Sequence, residues 1–202
     1  MPMKKGLFLL LLGVIVHGLF SCSNEGEISS NSNYVLKSRS IRDSLDFPPV
    51  EAMVNHPIVI HAMEMAWSQM KARVASGNGR SEFGFYIYYR PEQNSYFVGN
   101  IVEGGVVTEC AGTNATISLG IAVDNITVCG FFHCHTSIEH CSTGDNRLTG
   151  PSQSDINYAV EQKLPGILYD YSASRITAGN HRANDPYRCY TFGPEYRPTI
   201  YL

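Results

Sequence analysis

At 202 residues with a formal net charge of −3, the chain has the length of one domain rather than two. A hydrophobic share of 44% and 12 tyrosines supply a buried core and exclude a disordered or fibrous protein. The charge is mildly acidic with no basic stripe, so there is no electrostatic footprint for nucleic acid.

The first element is a targeting segment. Lys4 and Lys5 make a basic start, and Gly6 to Phe20 is apolar apart from His17. That run falls short of the ~20 residues a membrane-spanning helix needs and has the form of a signal peptide. It ends in Leu19-Phe20-Ser21-Cys22, which resembles the bacterial lipobox. The resemblance implies a signal peptide over residues 1–21, cleavage before Cys22 and lipidation at that thiol. The expected location is the bacterial cell envelope, at the periplasmic face or the cell surface. Two or three acyl chains on one residue anchor stably, whereas one does so only marginally. Cleavage removes Lys4 and Lys5 and no acid, moving the net charge from −3 to −5. Residues 22–33 are polar and read as a flexible tether, which leaves 34–202 as the folded domain. Cys110, Cys129, Cys134, Cys141 and Cys189 then remain. Their number is odd, so at least one thiol stays free or pairs between chains, and the absence of C-x-x-C spacing argues against a zinc knuckle.

Pro57 suits the first turn of a helix, with Ile58, Ala62, Met65, Gln69 and Ala72 tracing one face and Gly77-Asn78-Gly79 ending it. Phe83 to Tyr89, Ser95 to Val102, Thr116 to Ala122 and Thr127 to His133 are rich in β-branched and aromatic residues and read as strands. Pro91 to Asn94 is a turn between the first two. A polar loop over Thr136 to Gly150 leads to a short helix from Ser152 to about Lys163, stopped by Pro165. Gly166 to Tyr171 and Tyr187 to Phe192 read as late strands. Helix, strands, helix, strands in one small domain predicts an α/β or α+β sandwich around a mixed sheet.

Two segments carry chemistry. In Phe131-Phe132-His133-Cys134-His135 the alternation of a strand projects both histidines from one face and turns Cys134 to the other. Next, Ser152 lies three residues before Asp155 at a helix start. Alone, that pattern is a capping box. Beside an H-x-H strand end, His133, His135 and Asp155 make a three-ligand set for a divalent ion, with a position left open for water.

H-x-H followed by S-x-x-D resembles the JAB/MPN (JAMM) zinc metallopeptidase motif. Ser81 to Tyr88, led by Glu82, is similar to that family's E-x-x-G-hydrophobic strand, and the order of elements agrees over roughly Glu51 to Tyr171. The resemblance implies a cytidine-deaminase-like, three-layer fold with a mixed sheet flanked by helices. It implies zinc held by His133, His135 and Asp155, with Glu82 as general base and Ser152 as donor to the oxyanion. The implied activity is cleavage of an amide, peptide or isopeptide, with a peptide or cross-linked peptide as substrate. Compartment argues against ubiquitin-like conjugates and for a peptide or cell-wall cross-link.

The chain departs from the family between Thr136 and Pro151, where it is longer than the usual spacing and lacks a proline after Thr136. That insertion holds His140 and Cys141, and it could form a substrate-facing flap or close the cleft. Glu103, Glu109 and Glu139 are rivals to Glu82 as base. His140 reads as a loop histidine, and His56 and His61 as structural. Cys134 and Cys141 could pair and pin the insertion. Cys129 shares the histidine face by parity but lies about 13 Å away along the strand. The alternative reading is a catalytically silent metal-binding interaction module on the membrane surface. A nucleoside deaminase needs H-x-E with P-C-x-x-C, and neither occurs.

Overall fold

The computed structural model describes residues 44–110, 114–123 and 127–201. The expected signal peptide, Cys22 and the expected tether lie outside the described residues. Among those described, no helix is long and apolar enough to cross a membrane.

The elements run β1 (Ser44–Leu45), α1 (Val50–Val54), α2 (Pro57–Ala75), β2 (Phe83–Arg90), β3 (Ser95–Val98), β4 (Val102–Glu103) and β5 (Val128–Cys134). They continue with β6 (Asn146–Leu148), α3 (Gln153–Gln162), β7 (Gly166–Tyr171), β8 (Arg175–Thr177), β9 (Tyr187–Phe192) and β10 (Ile200–Tyr201). The central sheet has six strands in the order β3-β2-β5-β7-β9, with β4 also on β2. Only β5 and β7 are parallel; the other neighbours are antiparallel. Parallel neighbours need a crossover, and α3 with the segment before it supplies one. The carboxyl ends of β5 and β7 therefore open on the same edge of the sheet, where α/β folds place ligands.

Alternation along the strands divides the core in two. Phe85, Ile87, Phe132, Cys134, Ile167, Tyr169 and Tyr171 face α1 and α2, while Tyr86, Tyr88, Val128 and Phe131 pack with Ala159 and Leu164 on the α3 side. The result is a mixed sheet flanked by helices, an α/β architecture.

Three expectations need correction. The buried face of α2 is Val59, Met63, Ala66, Trp67, Met70 and Val74; Ile58 (47% exposed) and Met65 (44%) lie outside. The helix carries apolar residues on both sides. Trp67 decides which side turns in, because its ring packs on Tyr171 and Tyr187 at 5.1 and 4.8 Å. Cys129 is on the α1 side rather than the histidine face. A register shift, with Ile87 paired to Gly130 and Tyr88 to Val128, skips Cys129 and reverses parity at that point. Residues Thr116 to Ala122 form no strand. They run over the α3 side of the sheet, with Ala115, Ile117 and Leu119 half-buried in alternation, and among the described residues their one ladder-like bond is Gly105 N–H to Thr116 O at 3.1 Å.

Gly84 sits opposite His133 in the β2–β5 register. A Cβ there would press on the Phe132 carbonyl oxygen and approach His133 Cβ and Leu119 Cδ2 to 3.1 Å. The backbone atom cannot swing aside, so Gly84→Ala should push β2 off β5 and cost about 1–3 kcal/mol. Urea unfolding checks this, and an unchanged midpoint would show that the strands have slack.

Candidate metal centre

His133 is the penultimate residue of β5 and His135 lies just past its end, both on the α3 face. Asp155 is the third residue of α3. Its placement comes from a complete capping box: Ser152 Oγ accepts from Asp155 N–H at 3.3 Å, and Asp155 Oδ2 accepts from Ser152 N–H at 2.6 Å. Cap and ligand are therefore one arrangement. With Oδ2 drawn back to the cap, the carboxylate presents Oδ1 to His133 Nε2 and Oδ2 to His135 Nε2, each at 3.3 Å. The three ligand atoms lie within 4.8 Å of one another, and the group is able to hold a metal ion. His133 Nε2 is buried and makes no hydrogen bond. An imidazole nitrogen aimed at an acceptor set yet unbonded costs free energy in a protein alone, and a cation between the three groups removes that cost.

Electrostatics agrees. Burial raises the Asp155 carboxyl, but the adjoining imidazoles of His133 and His135 outweigh it and hold it well below the usual carboxylate range. Burial lowers the His135 imidazole, whereas bonds to Asp155 and Asp170 push it up to about 9. Without a cation, this cluster takes up a proton in its place.

Glu82 is the residue before β2. The pairing of Phe83 with Cys134 puts it one step further, beside His135 and on the same face. It is buried in the wall of the same cleft. Burial pushes its carboxyl up, partly offset by the neighbouring His135 and His133. Its rivals stand elsewhere. Glu103 pairs with Arg73 at 2.6 Å, Glu139 accepts from Ala183 N–H at 2.7 Å, and Glu109 is exposed. His140 is exposed in the insertion, and Cys134 is buried against α2.

Sequence reasoning missed Asp170 and Arg147. Asp170, at the end of β7, accepts from His135 Nδ1–H at 2.9 Å, which would leave the Nε2 lone pair for a cation once one displaces the proton there. Arg147, from β6 in the insertion, grips Asp170 with two bonds at 2.6 and 2.8 Å. An aspartate inside an otherwise apolar strand was the available signal for Asp170; nothing local marked Arg147. Burial raises the Asp170 carboxyl, but bonds from Arg147 and His135 prevail and hold it well below the usual range.

The insertion is thus a wall of the site. β6 pairs with β8, and Ser137 Oγ meets His181 Nε2 at 3.0 Å while His181 Nδ1 meets Asp185 at 2.9 Å. This Ser-His-Asp order invites comparison with a nucleophilic triad. However, Ser137 and His181 are 1% and 2% exposed, which denies a substrate any approach, so the set pins the loop. Between the insertion, α3 and the extended segment 114–119 lies an open cleft of about 760 Å³. Cys141 pairs with Cys110, not with Cys134, whose side chain points into the core on the far face of β5. That disulfide ties the insertion to the chain leading into segment 114–119. Spanning 31 residues, it should contribute about 2–4 kcal/mol. The double change Cys110→Ser and Cys141→Ser should lower stability by that amount while leaving metal stoichiometry intact, as read by denaturation and metal analysis.

Fold and site together define an α/β domain with a His-His-Asp group at the carboxyl edge of its sheet. Compared with protein-family models, curated proteins and solved structures, the chain matches none.

Proposed function

We propose that the protein is a zinc-dependent hydrolase of the JAB/MPN type that cuts an amide bond, peptide or isopeptide, outside the cytoplasm. The observation that carries this reading is the convergence of His133, His135 and Asp155 with buried Glu82 in one open cleft. A bound zinc ion supplies Lewis acidity, which acidifies water and polarises a carbonyl. The protein's own groups do the rest. Glu82 takes the proton of the attacking water and passes it to the departing amine; a carboxyl raised by burial is suited to holding that proton between the two events. Ser152, exposed at the rim, keeps its hydroxyl proton available because its oxygen is the acceptor in the cap. That proton can be given to the developing oxyanion, a donor of the kind worth about 3 kcal/mol. Apolar Ile117, Leu119 and Phe131 line the same cleft and would seat substrate side chains.

The test is zinc content of the purified protein together with hydrolysis of peptide and peptidoglycan-fragment panels. Stoichiometric zinc with turnover supports the reading; stoichiometric zinc with no turnover on any panel favours the silent binding module. The lipobox reading places this chemistry on a membrane-anchored domain. Labelling cells with an alkyne fatty acid should tag the chain, and Cys22→Ser should abolish the tag.

A further inference from the structure

One wall of the cleft is apolar, and groups outside the metal site fix its shape. Phe131 lies two residues before His133 on the same strand face, and the two rings stack at 6.4 Å. Tyr158 stands three residues after Asp155 on α3 and meets Phe131 edge-on at 5.1 Å. Leu119 sits close to the sheet because Gly84, opposite His133, has no side chain: a Cβ there would come within 3.1 Å of Leu119 Cδ2. Ile117, Leu119, Phe131 and Tyr158 all line the cleft. The hydroxyls that could make this wall polar are spent elsewhere. Tyr86, opposite Phe131 on β2, donates to the Gly120 carbonyl at 3.1 Å. Its one proton is thereby used, so Tyr158 is the donor in the 2.9 Å contact between the two hydroxyls. Tyr88 accepts from Val123 N–H at 3.1 Å. These bonds join β2, α3 and the segment carrying Ile117 and Leu119, and they leave no tyrosine proton for a ligand. An amide or charged side chain placed here would give up water and find no donor among the four side chains, a cost that an apolar one does not meet. Leu148, on the insertion wall, is 66% exposed and adds a further apolar side chain to the cleft.

We propose that Ile117, Leu119, Phe131 and Tyr158 form a subsite beside His133 that takes one large apolar side chain of a peptide, of the leucine or phenylalanine class. Its place next to the bond that is cut rests on the hydrolase reading; the subsite itself does not. The favoured substrate is then a peptide with a large apolar residue at that bond, rather than a polar one.

Calorimetric titration of the full mature chain carrying Glu82→Gln, loaded with zinc, tests this with two matched pairs of probes. Acetyl-Ala-Leu-Gly-Ala-carboxamide is set against the same peptide with glutamine for leucine, and acetyl-Ala-Gly-Leu-Ala-carboxamide against its glutamine counterpart. In at least one pair the leucine probe should bind about tenfold tighter, as one apolar pocket can supply, and which pair responds tells the side of the bond. The preference should persist after zinc is removed with EDTA and should be largely lost in the double change Ile117→Ala and Leu119→Ala. It should be untouched in Ile121→Ser, a residue of the same segment that is 89% exposed and does not line the cleft. Melting temperature reports whether each variant has folded. A probe with photo-leucine at the responding position should crosslink the unaltered subsite at residues 117–119, Phe131 or Tyr158, read by mass spectrometry, which keeps the test independent of the variants. Equal or undetectable binding within both pairs overturns the proposal. So does a preference that needs the zinc, one that remains in the folded double variant, or a crosslink confined to other parts of the chain. A leucine preference without turnover by the Glu82 protein would remove the hydrolase reading and leave the subsite; equal turnover of leucine and glutamine peptides would do the reverse.

Discussion

Replacing Asp170 with alanine should cost about 3–5 kcal/mol of stability and weaken metal binding about 10–100-fold. Asp170 is fully buried, and five donors converge on it. Oδ1 accepts from Arg147 Nη2 and from Tyr171 N–H; Oδ2 accepts from Arg147 Nη1, His135 Nδ1–H and Gly150 N–H. Removing the carboxylate leaves a largely buried guanidinium unpaired, which is the expensive half of a broken pair. It also frees His135 to rotate or change tautomer, so the nitrogen that faces Asp155 is no longer assured. Asp170→Asn separates the two effects, because it keeps the shape and some bonds to Arg147 but removes the charge. Urea unfolding gives the first number and competition with a chromophoric chelator gives the second. A folded Asp170→Asn protein with unaltered zinc affinity would show that His135 needs no such support. The pH dependence has a definite sign. Asp170 titrates near 3.8 when free and well below that in the fold. Its contribution is complete above the free value and is lost as pH falls through the folded one, so Asp170→Asn should flatten the acid limb of the stability curve.

Glu82→Gln should reduce turnover by about 10²–10⁴-fold while zinc remains stoichiometric. The glutamine keeps the volume of the buried side chain but cannot accept a proton. The group able to hold a metal ion is His133, His135 and Asp155 and does not include Glu82, so metal content separates loss of the base from loss of the site. Two results would remove Glu82 from the role of base: activity preserved in Glu82→Gln, or zinc lost along with activity. Parallel changes at Glu103 and Glu139 serve as controls, since both carboxylates are occupied away from the cleft.

Much of the frame was legible because it rests on local rules. The aromatic and β-branched content of Phe83 to Tyr89 and the apolar run ending in His133 correspond to β2 and β5, and Gly77 and Gly79, both with positive φ, end α2 where a turn demands it. Misreadings came where local pattern was ambiguous. Helix α2 is apolar on two sides, and the bulge at Cys129 reverses an alternation that no residue in the run announces. Thr116 to Ala122 has strand composition but, among the described residues, pairs with one neighbour at one point, so composition alone misassigned it.

Sequence by itself determined the candidate ligand types and their spacing: two histidines two apart share a strand face, and Ser152 with Asp155 starts a helix. Periods of 2 and 3.6 are properties of the backbone, and they act within a few residues. The tertiary structure decided what surrounds those ligands. Parallel pairing of β5 with β7 brought Asp170 beside His135, 35 residues away, and the folded insertion brought Arg147 onto Asp170. The Cys110–Cys141 bond and the cleft beside Glu82 likewise join segments far apart in the chain. No local period encodes such contacts; they exist only because burial of two opposite sheet faces fixes which strand ends meet.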